Sequence, residues 1–355
     1  SVTLSIPGGT GSIYYTTNGT RPTATTGTLY TTPINISTTT PLSAITVNAS
    51  GVSSEIITNT YIFLTDVLKQ STAPVGYPTN WKQAASSTAI KPDYEMDPDV
   101  CNSTDYKNLM EPALKAIPTM SIVTTISNLF SDVNNATTGG IYIYTGKPSG
   151  VGVDWVRPTS IEYFDPVSAK NFQANCQLKL HGGNSRNPAN ALKHGFELVF
   201  KASYGPSRLN FDLYEEKNSA KEFNSLILRG GYNYSWALMS QTTASHIDQR
   251  LKAQYLQDPW TKNTQLAMGH LSGREKFVHL YINGLYWGLY NIAEDYSDDY
   301  METYLTGTKD QFDVIKEQQY GLITTPTAGN YTAWIDFLTQ VQTNNIGNNV
   351  NYQKI

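Results

Sequence analysis

The sequence predicts an α+β chain in two parts, a small N-terminal β-sandwich followed by a larger α+β domain. Charge is the first observation behind this. Of the 25 Lys and Arg and 29 Asp and Glu in 355 residues, only Arg21 and Glu55 fall in the first 62. That opening stretch is crowded with Thr, Ser, Asn and Gly, so hydroxyls and amides must keep it soluble. Strand patterning is the second: short β-branched and aromatic runs, with turn signals about every 8–12 residues, favour a small sandwich. Length is the third, since roughly 150 residues per domain allows two domains here.

The elements follow in order. Ser12 to Thr17 is β-branched and aromatic and ends at Asn18-Gly19, a strong turn signal. Leu42–Asn48 and Ile56–Phe63 give two more strands. Residues 64–117 form a linker and entry segment with scattered Pro and Gly. From Pro118 the pattern changes. Strands are expected at Pro118–Thr124, Gly140–Tyr144, Ser160–Phe164, Phe172–Leu180, Gly195–Lys201 and Ser225–Leu228. Ser235–Leu251 reads as a helix with Leu238, Ile247 and Leu251 on its apolar face. Lys276–Ile282, Asn283-Gly284 and Leu285–Ile292 form the clearest hairpin, because Asn-Gly joins aromatic and β-branched strands. Helices near Ser297–Leu305 and Tyr331–Gln342 follow. The expected domains are therefore 1–63 and 118–355.

Composition excludes several classes. A net charge of −4 lacks the footprint of a general nucleic-acid binder. No apolar run approaches the roughly 20 residues that span a bilayer, so no transmembrane segment is expected. Hydrophobic content of 39%, with 24 Tyr and 6 Trp, is too rich for a disordered chain. Cys101 and Cys176 could form a disulfide or remain two free thiols, and no CxxC or zinc-type Cys/His cluster exists. The chain begins at Ser1 without Met, which reads as processed, with any signal peptide removed. Low charge and a Thr/Tyr/Asn-rich surface point to a secreted or cell-surface protein. Seven Asn-x-Ser/Thr triplets occur, but in a chain this rich in Asn and Thr many arise by chance.

Two stretches carry family resemblance. Ile13 to Thr23, with Leu29–Ile34 and the closing Asn59–Phe63, resembles the chitobiase/β-hexosaminidase C-terminal-like module, a fibronectin-III-like sandwich. Such modules are usually spacers or accessory domains. Polysaccharide contact through Tyr14, Tyr15 and Tyr30 is one reading of it, and strand aromatics packed in a core the other.

The larger part resembles the CotH (spore-coat H) protein-kinase family in its bacterial surface-protein form. The carrying stretches are Asp93–Pro98, Pro118–Val123, Trp155–Pro158, Glu162–Pro166, His181–Arg186, Leu192–Phe196 and the hairpin 277–292 ending in Glu294. The resemblance implies an atypical protein-kinase-like α+β domain. It would use ATP and Mg2+ to phosphorylate Ser/Thr of extracellular or coat proteins.

Phosphoryl transfer needs cations on the phosphates and a positioned acceptor. Gly182 and Gly183 free the backbone to approach an anion. Arg186 can fork onto phosphate oxygens and Lys193 can supply a point charge. The bland reading is a tight turn with solvated Arg and Lys. Glu294 is the expected partner of Lys193, with a rim carboxylate as the alternative, and Arg229, before Gly230-Gly231, either faces the same cleft or lies on the surface. The acids Asp93, Glu95, Asp97 and Asp99 read as a cation site or a solvated turn. Asp295, Asp298 and Asp299 read as magnesium ligands or a helix start.

Catalytic residues and metal ligands stay unassigned. The family places an Asp-containing segment ahead of an Asn, then a Trp-Asp motif, beyond the hairpin. Neither is found in residues 295–355, and Trp334-Ile335-Asp336 does not match. The expectation is a kinase-type domain cut short at its C-terminal end. The competing class is a non-catalytic surface adhesion or assembly protein that retains the fold.

Overall fold

The computed structural model describes residues 1–81, 90–143, 155–188, 190–232, 235, 252–318, 321–322 and 326–354. The N-terminal module is one antiparallel sheet of β1 (Ser12–Thr16), β2 (Thr28–Leu29), β3 (Thr40–Val47) and β4 (Ile57–Tyr61), in the order β2-β1-β3-β4. The expected second layer is not a sheet: beyond the four strands the module has isolated bridges, Val2 with Ile34 and Val47 with Ser53. Ile34, Leu42 and Ile45 are its buried apolar residues.

The larger part is organised by a barrel that the sequence pattern did not announce. Its strands are β5 (Thr119–Val123), β6 (Arg157–Phe164), β7 (Asn171–His181), β8 (Gly195–Val199), β9 (Ser225–Arg229), β10 (Glu275–Ile282) and β11 (Leu285–Glu294). They close in the order β9-β11-β10-β5-β6-β7-β8, with β8 pairing back onto β9. Only β5 and β10 run parallel; every other neighbouring pair is antiparallel. Strand side chains alternate between faces. Met120, Ile122, Ile161, Cys176, Leu178, Leu198, Leu226, Leu228, Val278, Leu280 and Ile292 are all fully buried and fill the interior. The hairpin β10–β11 turns through Asn283 and Gly284 at φ of 49° and 82°. Both lie in the left-handed region that a two-residue turn of this kind requires.

Two expectations change. Of the strand expected at Gly140–Tyr144, the described residues 140–143 are not a strand: residues 141–143 form a turn, and Ile141, Tyr142 and Ile143 are buried by packing rather than by pairing. Most of the helix expected over Ser235–Leu251 lies outside the described residues. The later helices are present at Asp298–Tyr304 and Thr332–Thr343. Cys101 and Cys176 are both free, and Cys176 is sealed inside the barrel. Among the described residues, no helix is long and apolar enough to cross a membrane.

The module is fastened to the barrel by a polar seam. Glu162 on β6 accepts from the Thr60 amide at 3.0 Å and from the Thr60 hydroxyl, and Thr60 also meets Ser121 at 2.8 Å. Asn175 donates to the Ile56 carbonyl at 3.0 Å. The hairpin tip presses into the same seam. A Cβ on Gly19 would stand 2.5 Å from the Asn283 side chain, and one on Gly284 would stand 3.2 Å from Thr39.

Candidate functional site

The loop from Gly182 to His194 joins β7 to β8 at one end of the barrel. Gly182 has φ of 113°, a conformation that L side chains rarely adopt, and a Cβ there would stand 2.4 Å from Ser185 Oγ. Gly183 has open space around it, so nothing about its packing demands glycine. The return of the loop is held by two hydroxyls. Tyr142 Oη donates to the Leu192 carbonyl at 2.6 Å and accepts from the His194 amide at 3.2 Å and Trp287 Nε1 at 3.2 Å. Tyr290 Oη donates to the His194 carbonyl at 2.9 Å. The backbone on both sides of Lys193 is thereby fixed.

Lys193 projects over the barrel's aromatic end. Its Nζ donates to the Leu289 carbonyl and lies 4.6 Å from the Tyr290 ring centre and 5.3 Å from that of Tyr255. Among the described residues no carboxylate pairs with it. Burial therefore pulls the ammonium down to about 7. His194 stacks on Tyr142 with ring centres 4.1 Å apart. It is pushed down to about 3, first by burial, against the Ala191 carbonyl, and further by the charge of Arg186. Arg186 and Lys193 thus lie on the same loop as a neutral imidazole. Beneath them Trp81, Tyr94, Phe130, Tyr142 and Trp287 form a packed aromatic plug, with Trp81 stacked on Phe130 at 5.8 Å.

Glu294 does not meet Lys193. It sits at the C-terminal end of β11, five residues beyond Leu289, or about 17 Å along a strand. There it accepts from the Arg274 amide at 2.8 Å and from the Tyr304 hydroxyl, with Arg274 Nη1 at 4.0 Å. Burial raises its pKa, and these partners only partly offset the effect. Glu294 lines a small cleft of about 30 Å3 with Arg208, Ser225, Asp295, Asp299 and Tyr304.

Arg229 is also elsewhere. It points off the barrel's outer face, where it pairs with Asp258 and with Glu275 at 2.9 Å, beneath the helix Gln257–Ala267. The loop's Gly182, Gly183, Arg186 and Lys193 are thus brought together, whereas Glu294 and Arg229 serve separate polar clusters.

Several of the remaining candidates make structural contacts. Asp97 caps the helix Pro98–Cys101, accepting from the Asp99 amide at 2.9 Å. Ser297 caps Asp298–Tyr304, Asp299 pairs with Arg208 at 3.2 Å, and Asp295 accepts from Ser225 at 2.9 Å. Among the described residues, no group of three His, Cys, Asp or Glu side chains could hold a metal ion. Tyr14, Tyr15 and Tyr30 are half-buried, and Tyr15 meets Tyr30 edge-on at 76° rather than forming a flat platform.

Sequence reasoning missed Tyr142, His194, Tyr255 and Tyr290. One signal for Tyr290 existed. Tyr290, Ile292 and Glu294 alternate on β11, so all three face inward. The same alternation places Glu294 too far along the strand to reach Lys193.

Two family models match the chain. Residues 1–58 match the chitobiase/beta-hexosaminidase C-terminal domain, and residues 189–346 match the CotH kinase protein. The second match contains Lys193, Arg229 and Glu294 and begins after Gly182, Gly183 and Arg186. No curated protein sequence matches the chain.

Proposed function

We propose that this chain, a CotH-type domain carried behind a chitobiase-like module, belongs to a secreted or cell-surface atypical protein kinase. Its reaction would move the γ-phosphoryl group of ATP to Ser or Thr hydroxyls of surface or coat proteins. The observation that carries this reading is Lys193. It lies within the CotH match, on a loop whose backbone is locked, as a half-buried ammonium with no carboxylate among the described residues.

A desolvated cation without a counterion is costly, and an anion placed beside it removes that cost. Lys193 and Arg186 therefore fit the phosphates of a nucleotide, with Gly182 and Gly183 allowing close backbone approach. ATP, when bound, supplies the transferable phosphoryl group. The chain's own contribution is positioning: Tyr142 and Tyr290 hold the loop, and the aromatic plug keeps water from beneath Lys193. Magnesium rests on the family resemblance alone. Among the described residues, no group of three His, Cys, Asp or Glu side chains is placed to hold it. The extracellular reading rests on the N-terminal match and the low charge of that module.

Calorimetry of the full chain with Mg-ATP tests the proposal. Wild type is expected to bind, and Lys193→Ala and Arg186→Ala each to weaken binding at least tenfold. Glu294→Ala is expected to bind as wild type does, provided it folds, because Glu294 lies at the far end of the barrel. No heat of binding in the wild type would overturn the kinase reading and favour a surface-assembly protein that retains the fold. Wild-type affinity in Lys193→Ala would overturn the site.

A further inference from the structure

A second cleft, an open one of about 80 Å3, lies between the N-terminal module and the barrel. Its module wall carries Arg21 and Glu55, the only two charged side chains in the first 62 residues. Both are exposed, and neither side chain forms an ion pair or hydrogen bond among the described residues. Had they served only to solubilise the module, they could sit anywhere on its surface. Instead both lie on the one face that meets the barrel. The barrel wall adds Asn128, Ser160, Asn175 and Tyr204 and no charged residue at all.

The walls are held rigidly. Asn175 is tied to the Ile56 carbonyl at 3.0 Å, and Thr60 to Glu162 at 3.0 Å. Asn128 donates to Thr124 at 2.8 Å, and Thr124 donates in turn to the Pro158 carbonyl at 2.8 Å. A preformed site loses less on binding than one that must be ordered.

We infer that this cleft binds a neutral oligosaccharide. Its two charges cancel, so it does not select for a charged ligand. Guanidinium, carboxylate and amide groups each offer paired donors or acceptors, which suit the adjacent hydroxyls of a sugar ring. Tyr204 offers an apolar ring face with a polar tip. The site is distinct from the strand tyrosines Tyr14 and Tyr30, which do not line the cleft, and it is independent of the nucleotide reading.

The test is calorimetry of the full chain with neutral β-linked tetrasaccharides of glucose, galactose, mannose and N-acetylglucosamine. A Ser/Thr-rich peptide is run beside them. At least one saccharide is expected to bind. Arg21→Ala, Glu55→Ala and Tyr204→Ala are each expected to weaken that binding by about tenfold or more, while Tyr14→Ala leaves it unchanged. Arg21 and Glu55 are exposed, so unchanged thermal melting of their variants excludes misfolding as the cause. Mg-ATP titration of the same variants should match wild type, which separates this result from the nucleotide site. No saccharide binding at millimolar concentration overturns the inference. So does saccharide affinity that survives both charge deletions. Binding of the peptide alone, lost in Arg21→Ala, would reassign the cleft to a polypeptide.

Discussion

Two lysines at opposite ends of one barrel show how far environment outweighs residue type. Lys193 meets two tyrosine rings and a carbonyl, and burial pulls its ammonium down to about 7. Burial acts downward on Lys276 as well. There it is outweighed by Tyr163 and Glu215, with Asp165 at 3.3 Å and Glu215 at 3.1 Å, and Lys276 stays charged well beyond neutral pH. One end is a cation awaiting an anion. The other is an internally satisfied network. Only the first has the electrostatics of a ligand site, and this comparison can be broken by substitution.

The largest stability effect is expected at the satisfied end. Glu294→Ala removes a buried carboxyl from Arg274 and Tyr304 and leaves the guanidinium with Glu216 alone, at 2.7 Å. Breaking a buried pair from one side costs about 3–5 kcal/mol, read as a lower urea midpoint at unchanged slope. A loss below about 1 kcal/mol would show that the network contributes little net stability.

Lys276→Met should come next. It leaves the buried Asp165 facing Glu215 without the cation between them. The expected loss is about 1–3 kcal/mol, smaller because Glu215 is part-exposed and keeps Lys170 at 2.8 Å. Lys193→Met should cost least, within about 1 kcal/mol of wild type, since it replaces an unpaired cation with an apolar chain of similar length. The comparison fails if Lys193→Met destabilises as much as Lys276→Met. That would place an unseen carboxylate partner beside Lys193.

Much of the fold was legible in local pattern. The hairpin was, because Asn283-Gly284 specifies its turn and alternation specifies its faces. The loop 182–193 was, because Gly182 and the flanking strand periods bound it. The closed barrel was not, because pairing of β8 with β9 joins strands with no turn between them, and nothing local encodes that contact. The same gap misplaced Glu294. The family resemblance implied a pair of Lys193 with Glu294, while strand geometry put the two residues at opposite ends. Ile141 to Ile143 misled for another reason: a short apolar run is equally suited to a strand and to a buried turn.

The pH dependence of the two ends should differ in sign. In the unfolded chain Lys193 titrates near 10.5, and in the fold near 7, so between those values the unfolded state holds the extra proton. Stability should therefore rise with pH through that window, and the rise should vanish in Lys193→Met. Glu294 and Glu162 act oppositely on the acid side. Burial raises both, so the folded state holds the extra proton just above 4.5, and stability falls as pH climbs through their folded values. The Lys193 shift also reaches the ligand. A phosphate beside Nζ restores the charged form, so Mg-ATP binding at pH 8 should take up a proton. The observed binding enthalpy should then differ between Tris and phosphate buffers, and the difference should disappear in Lys193→Met. Buffer-independent enthalpy in the wild type would mean that the nucleotide does not touch this lysine, even if it binds.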